Sequence, residues 1–133
     1  MLDLGLNYGK GQIFLKDIAK RQEISEKYLS QIILPLKSSR LVHSFRGPRG
    51  GYVLAKPPKQ ITVREIVELL DGEIALVDCV NRPQNCNRTG DCIARDLWSE
   101  VTQNLADTLE NITLADLIQK CRRQEEETIS YTI

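Results

Sequence analysis

The sequence predicts a mainly α-helical chain that contains one small β-hairpin. Apolar residues recur at helical spacing between residues 15 and 36, and an alternating stretch around residue 43 is followed by a glycine-rich turn. A further apolar period of about five helical turns begins at Ile93. The chain of 133 residues has the size of one ordinary domain, so we expect one core with an appended helix.

The first two predicted helices are joined by a tight turn. Leu15, Ile18 and Ala19 lie on one face of the first helix. A short break follows, and Ser25 is a good N-cap for the second helix. We expect Pro35 to bend this second helix near its end. Its apolar positions recur at three- and four-residue steps: Tyr28, Leu29, Ile32, Ile33 and Leu36.

A β-hairpin with a basic tip is predicted next. Residues 41–45 alternate between apolar and polar, residues 47–51 indicate a turn, and residues 52–54 form a returning strand. Arg46 and Arg49 bring positive charge to the tip. The tip glycines allow the backbone to turn sharply and to approach another molecule closely.

Two capping boxes mark the start of later helices. Thr62 and Glu65 begin a helix, and the head ends near Gly72. Thr113 and Asp116 begin another, which we expect to be short and to be followed by a solvated, frayed tail.

The long helix that begins at Ile93 needs a partner. A helix of about five turns that extends from a small head would leave its apolar stripe in water, so we predict a homodimer. The stripe consists of Ala94, Leu97, Trp98, Val101 and Leu105.

The charges divide the chain into a basic half and an acidic half. Residues 1–59 contain eleven Lys and Arg against four Asp and Glu, a net charge of +7, whereas residues 60–133 contain seven against fourteen, a net charge of −7. A basic half can supply the phosphate-facing surface of a nucleic-acid-binding protein.

The composition also excludes several classes of protein. No apolar run reaches the roughly 18 residues of a membrane span, and the first residues lack the features of a signal peptide, so we expect a cytoplasmic protein. The sequence has no phosphate-binding motif of a nucleotide enzyme. His43 is the only histidine, and no nucleophile-base pair can be assembled around it, so we do not expect an enzyme.

Two helices, a tight turn and a basic hairpin occur in the order of a winged helix-turn-helix. In such a head the second helix enters the major groove and the wing contacts phosphate or the minor groove. Two packed helices of an unrelated bundle would explain the apolar periods equally well, but not the basic tip. We therefore predict that DNA is contacted by Ser25, Lys27, Tyr28, Ser30, Gln31, Arg46 and Arg49.

Three of the four cysteines lie within fourteen residues of one another. The spacing of Cys79, Cys86 and Cys92 differs from the paired C-x2-C of structural zinc sites and suits a larger iron-sulfur cluster. The alternative is three free thiols in a loop. Cys121 lies much farther along the chain and is not expected to be a ligand.

The sequence resembles the IscR, NsrR, RirA and CymR family of bacterial winged-helix regulators, the Rrf2 family, over nearly its whole length. The resemblance rests on residues 24–29 with Gln31, residues 46–52, the three clustered cysteines, Leu97-Trp98 and residues 111–114.

The resemblance implies a DNA-binding transcription regulator. It implies a wing-bearing head, a long helix that crosses its twin in the dimer and a pseudo-palindromic operator in double-stranded DNA. In the cluster-binding branch it implies a 2Fe-2S cluster, with 4Fe-4S as the alternative, on three cysteines whose positions match Cys79, Cys86 and Cys92. We accordingly divide the chain into a head (1–72), a cysteine-bearing loop (73–92) and a region that contains the dimerisation helix, a short helix and a tail (93–133).

This sequence departs from the family pattern in two respects. In IscR-like members a histidine three residues after the last cysteine is the fourth ligand, whereas Arg95 stands here and offers no lone pair. We expect the fourth ligand to come from outside the cysteine loop, with Asp96 as the local alternative. The family also has residues before the point at which this chain begins, so we expect a truncated first helix.

Two other hypotheses stay open. One is a cluster-free, CymR-like regulator controlled by a protein partner or by thiol oxidation. The other is a small redox enzyme or electron carrier that uses the cysteines directly, and the basic hairpin argues against it.

Overall fold

The structure, a computed structural model, describes residues 1–48, 50–77, 80, 82, 84 and 92–132. Within these residues the chain is mainly α-helical with one antiparallel hairpin, as predicted. None of the helices in these ranges is both long and apolar enough to cross a bilayer. The elements are α1 (Leu2–Leu6), α2 (Leu15–Gln22), α3 (Glu26–Ser38), β1 (Val42–Phe45), β2 (Gly51–Leu54), a 3₁₀ turn (Pro58–Gln60), α4 (Val63–Asp71), α5 (Ile93–Glu110) and α6 (Leu114–Thr132).

One hydrophobic core joins the helix-turn-helix, the hairpin and the first turns of α6. Such a shared core fixes the positions of these elements relative to one another, because each contributes side chains that are removed from water. The buried members of the core are Leu4, Ile18, Ala19, Leu29, Ile33, Leu36, Leu41, Val42, Leu54, Ile61, Leu114 and Ile118.

The turn between α2 and α3 is fixed by local features of the backbone. Glu23 ends α2 in the left-handed conformation, with φ 54°. The Ser25 Oγ accepts a hydrogen bond from the Tyr28 amide at 3.1 Å, which confirms the predicted N-cap. α3 continues past Pro35 to Ser38, and the buried Leu36 anchors this last turn in the core.

The hairpin is extended by a third short strand segment. Val42 pairs with Leu54 and Phe45 pairs with Gly51 across β1 and β2. Ile13 exchanges two backbone hydrogen bonds with Tyr52, at 3.0 and 2.8 Å. Residues 12–14 therefore lie alongside β2 and attach the base of the wing to the start of α2.

A second backbone bridge attaches the C-terminal helices to the head. The Val63 amide donates to the Ile112 carbonyl, and the Leu114 amide donates to the Ile61 carbonyl, both at 2.8 Å. Ile61 is 0% exposed and Leu114 is 1% exposed. The turn between α5 and α6 is therefore held against the segment that leads into α4.

The two predicted capping boxes form to different extents. Thr113 and Asp116 cap each other, with 2.9 Å from the Thr113 amide to the Asp116 carboxylate and 3.2 Å from the Asp116 amide to the Thr113 hydroxyl. The bond from the Thr113 amide lowers the pKa of Asp116. Thr62 also caps the Glu65 amide, at 3.1 Å, but the Glu65 carboxylate pairs with Lys56 instead of returning to the cap.

The prediction of a short last helix was wrong. α6 extends from Leu114 to Thr132, through the acidic run that was expected to be frayed. Residues 122–130 are exposed, so packing does not explain this extension. These residues include several Arg, Gln and Glu and no Gly or Pro, a composition with favourable intrinsic helix propensity.

A buried carboxylate joins α1 to α2. Arg21 donates two hydrogen bonds to Asp3, at 2.6 and 3.0 Å, and Gln22 donates a third at 3.1 Å. Asp3 is buried, so these donors replace the water that its carboxylate loses. The hydrogen bonds from Arg21 lower the pKa of Asp3 below the ordinary value of 3.8.

We predict that Asp3→Asn lowers the free energy of unfolding at pH 7 by about 1–3 kcal/mol, because it removes a charge-assisted bidentate pair. Since the folded-state pKa of Asp3 is lowered, the stabilisation is present above the ordinary carboxyl pKa and is lost as the pH falls through the lowered value. Urea unfolding at pH 7 and at about pH 3 measures the free energy of unfolding of both proteins. The difference between wild type and Asp3→Asn should be smaller at the lower pH. Asp71→Asn, an exposed position, is the control, and equal stabilities of wild type and Asp3→Asn at pH 7 would contradict the prediction.

Candidate nucleic-acid interface and cysteine segment

α3 has one face in the core and one face in water. Leu29, Ile33 and Leu36 are buried, and the opposite face carries the residues that the sequence predicted to contact DNA. Lys27, Tyr28 and Gln31 are exposed there, with Tyr28 56% exposed, and Ser30 is half-buried. The structure thus places the predicted recognition residues together at the N-terminal end of α3.

The two serines of this group already make bonds to the backbone. Ser25 Oγ accepts from the Tyr28 amide, so its hydroxyl proton remains as a donor. Ser30 Oγ donates to the Glu26 carbonyl at 2.8 Å, so its lone pairs remain as acceptors. Each serine can therefore still form a hydrogen bond to DNA while it keeps its bond to the backbone.

The wing tip is a tight turn that depends on glycine. Gly47 has φ +102°, and the Gly50 amide donates to the Gly47 carbonyl at 2.9 Å. A Cβ on Gly50 would collide with the Phe45 carbonyl oxygen. Arg46 is exposed at the start of this turn, and the other predicted wing residue, Arg49, lies outside the described residues.

The positions of the wing and α3 are fixed relative to each other by the core. β1 follows α3 after a short turn, and Leu36, Leu41 and Val42 are all buried at this junction. The two predicted DNA-contacting elements are therefore parts of one packed unit. Among the described residues of the basic half, Arg21 and Lys56 are held in ion pairs, whereas Lys27 and Arg46 are exposed at the predicted interface.

Of the three clustered cysteines, only Cys92 lies within the described residues. Cys92 is the N-cap residue of α5, and its carbonyl accepts from the Asp96 amide at 3.3 Å. It is half-buried and forms no disulfide. Cys79 and Cys86 lie outside the described residues, so the three-cysteine site stays a prediction. Within the described ranges, no group of three or more His, Cys, Asp and Glu side chains could hold a metal ion.

Asp96, the local alternative for the fourth ligand, and Cys121, which is not expected to be a ligand, both lie on the C-terminal helices. Arg95 and Asp96 lie in the first turn of α5, close in sequence to Cys92, and Asp96 is exposed. Cys121 is half-buried on α6, separated from Cys92 by the whole of α5 along the chain.

α5 exposes the stripe that was predicted to form the dimer. Thr102 and Ala106 are buried on one side of α5. The Arg64 guanidinium pairs with Glu68 at 3.0 Å and approaches Glu110 at 3.8 Å, which ties α4 to the end of α5. The adjoining apolar side chains remain 37–55% exposed: Leu97, Trp98, Val101 and Leu105.

One feature of this surface depends on strand pairing that the sequence pattern does not reveal. Phe14 and Phe45 are both about half exposed beside the wing. Periodicity assigned Phe45 to a strand but could not show that Phe14 lies on the same sheet, because that depends on the pairing of residues 12–14 with β2.

Comparison with known proteins identifies related regulators. The sequence profile of the family described as "Rrf2: Iron-dependent Transcriptional regulator" matches residues 1–120. The HTH-type transcriptional regulator IscR of Cronobacter sakazakii is 38% identical over 118 residues, which are 89% of this chain and 72% of that protein. These proteins are named as transcriptional regulators, which is a non-enzymatic role.

Two solved structures share the fold. CymR, the global cysteine regulator of B. subtilis, is 34% identical, with a TM-score of 0.75 over 90% of this chain and 87% of that chain. T. potens IscR is 34% identical, with a TM-score of 0.73 over 90% of this chain and 78% of that chain. Both similarities extend over the head and the C-terminal helices.

Proposed function

This chain belongs to the Rrf2 family of transcriptional regulators, and we propose that it is a homodimer whose operator binding is controlled by an iron-sulfur cluster on Cys79, Cys86 and Cys92. The observation that carries the DNA-binding part of the proposal is the exposed N-terminal face of α3, packed in one unit with a basic wing.

Two sets of residues have the chemistry to contact the duplex. In the major groove, Lys27 and Gln31 offer donors to base edges and phosphates, and Ser25, Tyr28 and Ser30 add shorter hydrogen bonds. Arg46 and Arg49 supply the wing with charge for phosphate or for a narrow minor groove. The positive charge of residues 1–59 supports the same assignment.

The exposed stripe of α5 supports a homodimer. Several large apolar side chains on one helix face form a patch that a soluble monomer rarely leaves in water. In a dimer with a twofold axis, this patch would pack against the same patch of a second copy. Two heads related in this way would bind a pseudo-palindromic operator. We propose that the chain divides into the head (1–72), the cysteine loop (73–92) and the region that contains the dimerisation helix (93–133).

The donors present fit an iron-sulfur cluster. Three thiols within fourteen residues match the usual ligand of such clusters, and Cys92 forms no disulfide and is not fully buried. Cys92 is the N-cap residue of α5, so its position is fixed by the start of a helix. A bound 2Fe-2S cluster, or 4Fe-4S as the alternative, would supply a centre that responds to iron supply and to oxidation. Because Cys92 is the N-cap residue of the helix that carries the exposed stripe, a cluster that includes Cys92 would act on the arrangement of the two heads through α5.

A second candidate function is regulation without a cluster, through thiol oxidation or a protein partner. The structural likeness to B. subtilis CymR favours it, and a similar solved structure is that of Staphylococcus aureus CymR in an oxidized form. Absorption spectra distinguish these two proposals, because only a cluster absorbs strongly in the visible range.

We predict that Arg46→Ala weakens specific DNA binding by about 1–3 kcal/mol, because it removes a cation from the wing tip. The salt slope, which is the slope of the logarithm of the binding constant against the logarithm of the salt concentration, should decrease in magnitude by about one. Fluorescence anisotropy with a duplex selected by the wild-type protein measures both quantities. Arg123→Ala, an exposed cation of α6, should bind like wild type. Unchanged affinity in Arg46→Ala would remove this residue from the interface.

We predict that the wild-type protein sediments as a dimer at micromolar concentration and that Val101→Asp sediments as a monomer, because two buried carboxylates would face each other in the dimer. Gln103→Glu is the matched control, since it introduces a negative charge on the same helix about 200° away from Val101. A monomeric wild-type protein would contradict the proposal, and a dimeric Val101→Asp variant would show that the stripe is not the interface.

We predict that anaerobically purified protein contains iron and sulfide and absorbs in the visible range, and that Cys79→Ser, Cys86→Ser and Cys92→Ser each remove most of this absorbance. Cys121→Ser should retain it, because this thiol is not expected to be a ligand. The spectrum of Asp96→Ala tests whether the fourth ligand is local. Protein without iron or sulfide after anaerobic purification would favour the cluster-free alternative.

A further inference from the structure

Neither of the two phenylalanines of this chain is in the hydrophobic core. Phe14 is 45% exposed and Phe45 is 48% exposed, although the chain contains only these two. A single exposed apolar residue needs no explanation, but two large aromatic groups that lie on one surface indicate a contact site.

Strand pairing places both rings on the same face of the sheet. Phe45 pairs with Gly51 across β1 and β2. On the other side of β2, Ile13 and Tyr52 exchange hydrogen bonds, which brings Phe14 opposite the same glycine. Paired residues of adjacent strands project to one face, and two strand spacings separate Phe14 from Phe45 by roughly 10 Å at the backbone. We call these two side chains the phenylalanine platform.

The glycine between the two rings is required by the backbone. A Cβ on Gly51 would lie 2.7 Å from the Ile13 carbonyl oxygen, because the 12–14 segment approaches β2 closely there. The sheet therefore presents an aromatic ring on either side of a position that tolerates no side chain. On the opposite face, Ile13 and Tyr52 pack against the core, so the platform faces away from the protein interior.

The surroundings of the platform match duplex DNA. Arg46 follows Phe45 directly at the wing tip, and Lys16 is exposed in the first turn of α2, two residues after Phe14. Two exposed cations that can contact phosphate therefore lie close to the platform along the chain, and Phe45 ends β1 directly before the wing tip. Proteins that bind the minor groove place apolar side chains against its sugars and base steps.

We propose that the phenylalanine platform packs against the deoxyribose edge of the DNA minor groove beside the wing. This inference rests on the proposed function, since it requires that the head binds DNA. The platform would add apolar contact area that is independent of the base sequence, and it would set how deeply the wing enters the groove. Its contribution to binding differs from that of Arg46, because burial of a phenyl ring releases no counterions from DNA.

The dependence of affinity on salt tests this proposal. Phe14→Ala and Phe45→Ala are titrated against the duplex that the wild-type protein selects from a random pool, at several salt concentrations. We expect each variant to bind about five- to tenfold more weakly, with an unchanged salt slope, and the double variant to bind more weakly still. Arg46→Ala should instead lower the slope, and Ile129→Ala, an exposed apolar position near the end of α6, should bind like wild type.

Thermal unfolding of each variant separates a contact with DNA from a role in folding. If Phe45→Ala is unstable, Phe45→Leu takes its place, because it keeps an apolar side chain on the strand. We expect its affinity for DNA to lie between those of Phe45→Ala and wild type. Folded Phe14→Ala and Phe45→Ala variants with wild-type affinity would overturn the platform alone, provided that Arg46→Ala is weakened. A wild-type protein that selects no duplex would overturn the proposed function, and the platform with it.

Discussion

The arrangement of this protein depends on the backbone bridge between the segment before α4 and the turn between α5 and α6. Two hydrogen bonds of 2.8 Å join Val63 to Ile112 and Leu114 to Ile61. The side chains of Ile61 and Leu114 are fully buried. Opening the bridge would expose both apolar side chains and leave the two backbone amides without their hydrogen-bond partners. The C-terminal helices are therefore packed on the DNA-binding head rather than attached by a free linker.

This bridge gives the proposed regulation a physical route. α5 begins directly after Cys92 and ends just before the bridge, so one continuous helix connects Cys92 to the head. Arg64 strengthens this connection through its contacts with Glu68 and Glu110. A displacement at the start of α5 would reach the exposed stripe and the bridge to the head through this one helix. The two heads of a dimer could thus change spacing while each head keeps its own fold.

Local signals in the sequence predicted most of the fold. Apolar periodicity and the Ser25 cap defined α2 and α3, and the reciprocal bonds of Thr113 and Asp116 formed as the capping pattern implied. Features that depend on distant residues could not be predicted in this way. The Asp3 and Arg21 pair joins residues eighteen positions apart, and the 12–14 segment pairs with β2 through too few residues to show strand alternation. The length of α6 does not follow from polarity, because an acidic, solvated run also occurs in frayed tails, whereas the residues of this run favour a helix.

The most direct test of cluster-controlled operator binding compares a single anaerobic preparation before and after its cluster is removed by a chelator. Both forms are titrated against the same selected duplex, with Cys92→Ser treated identically as the control. The proposed function predicts that the affinity of the wild-type protein changes by about tenfold or more on cluster removal, whereas Cys92→Ser binds equally before and after treatment. Equal wild-type affinities in the two states, with the cluster shown by its spectrum to be present and then absent, would contradict it.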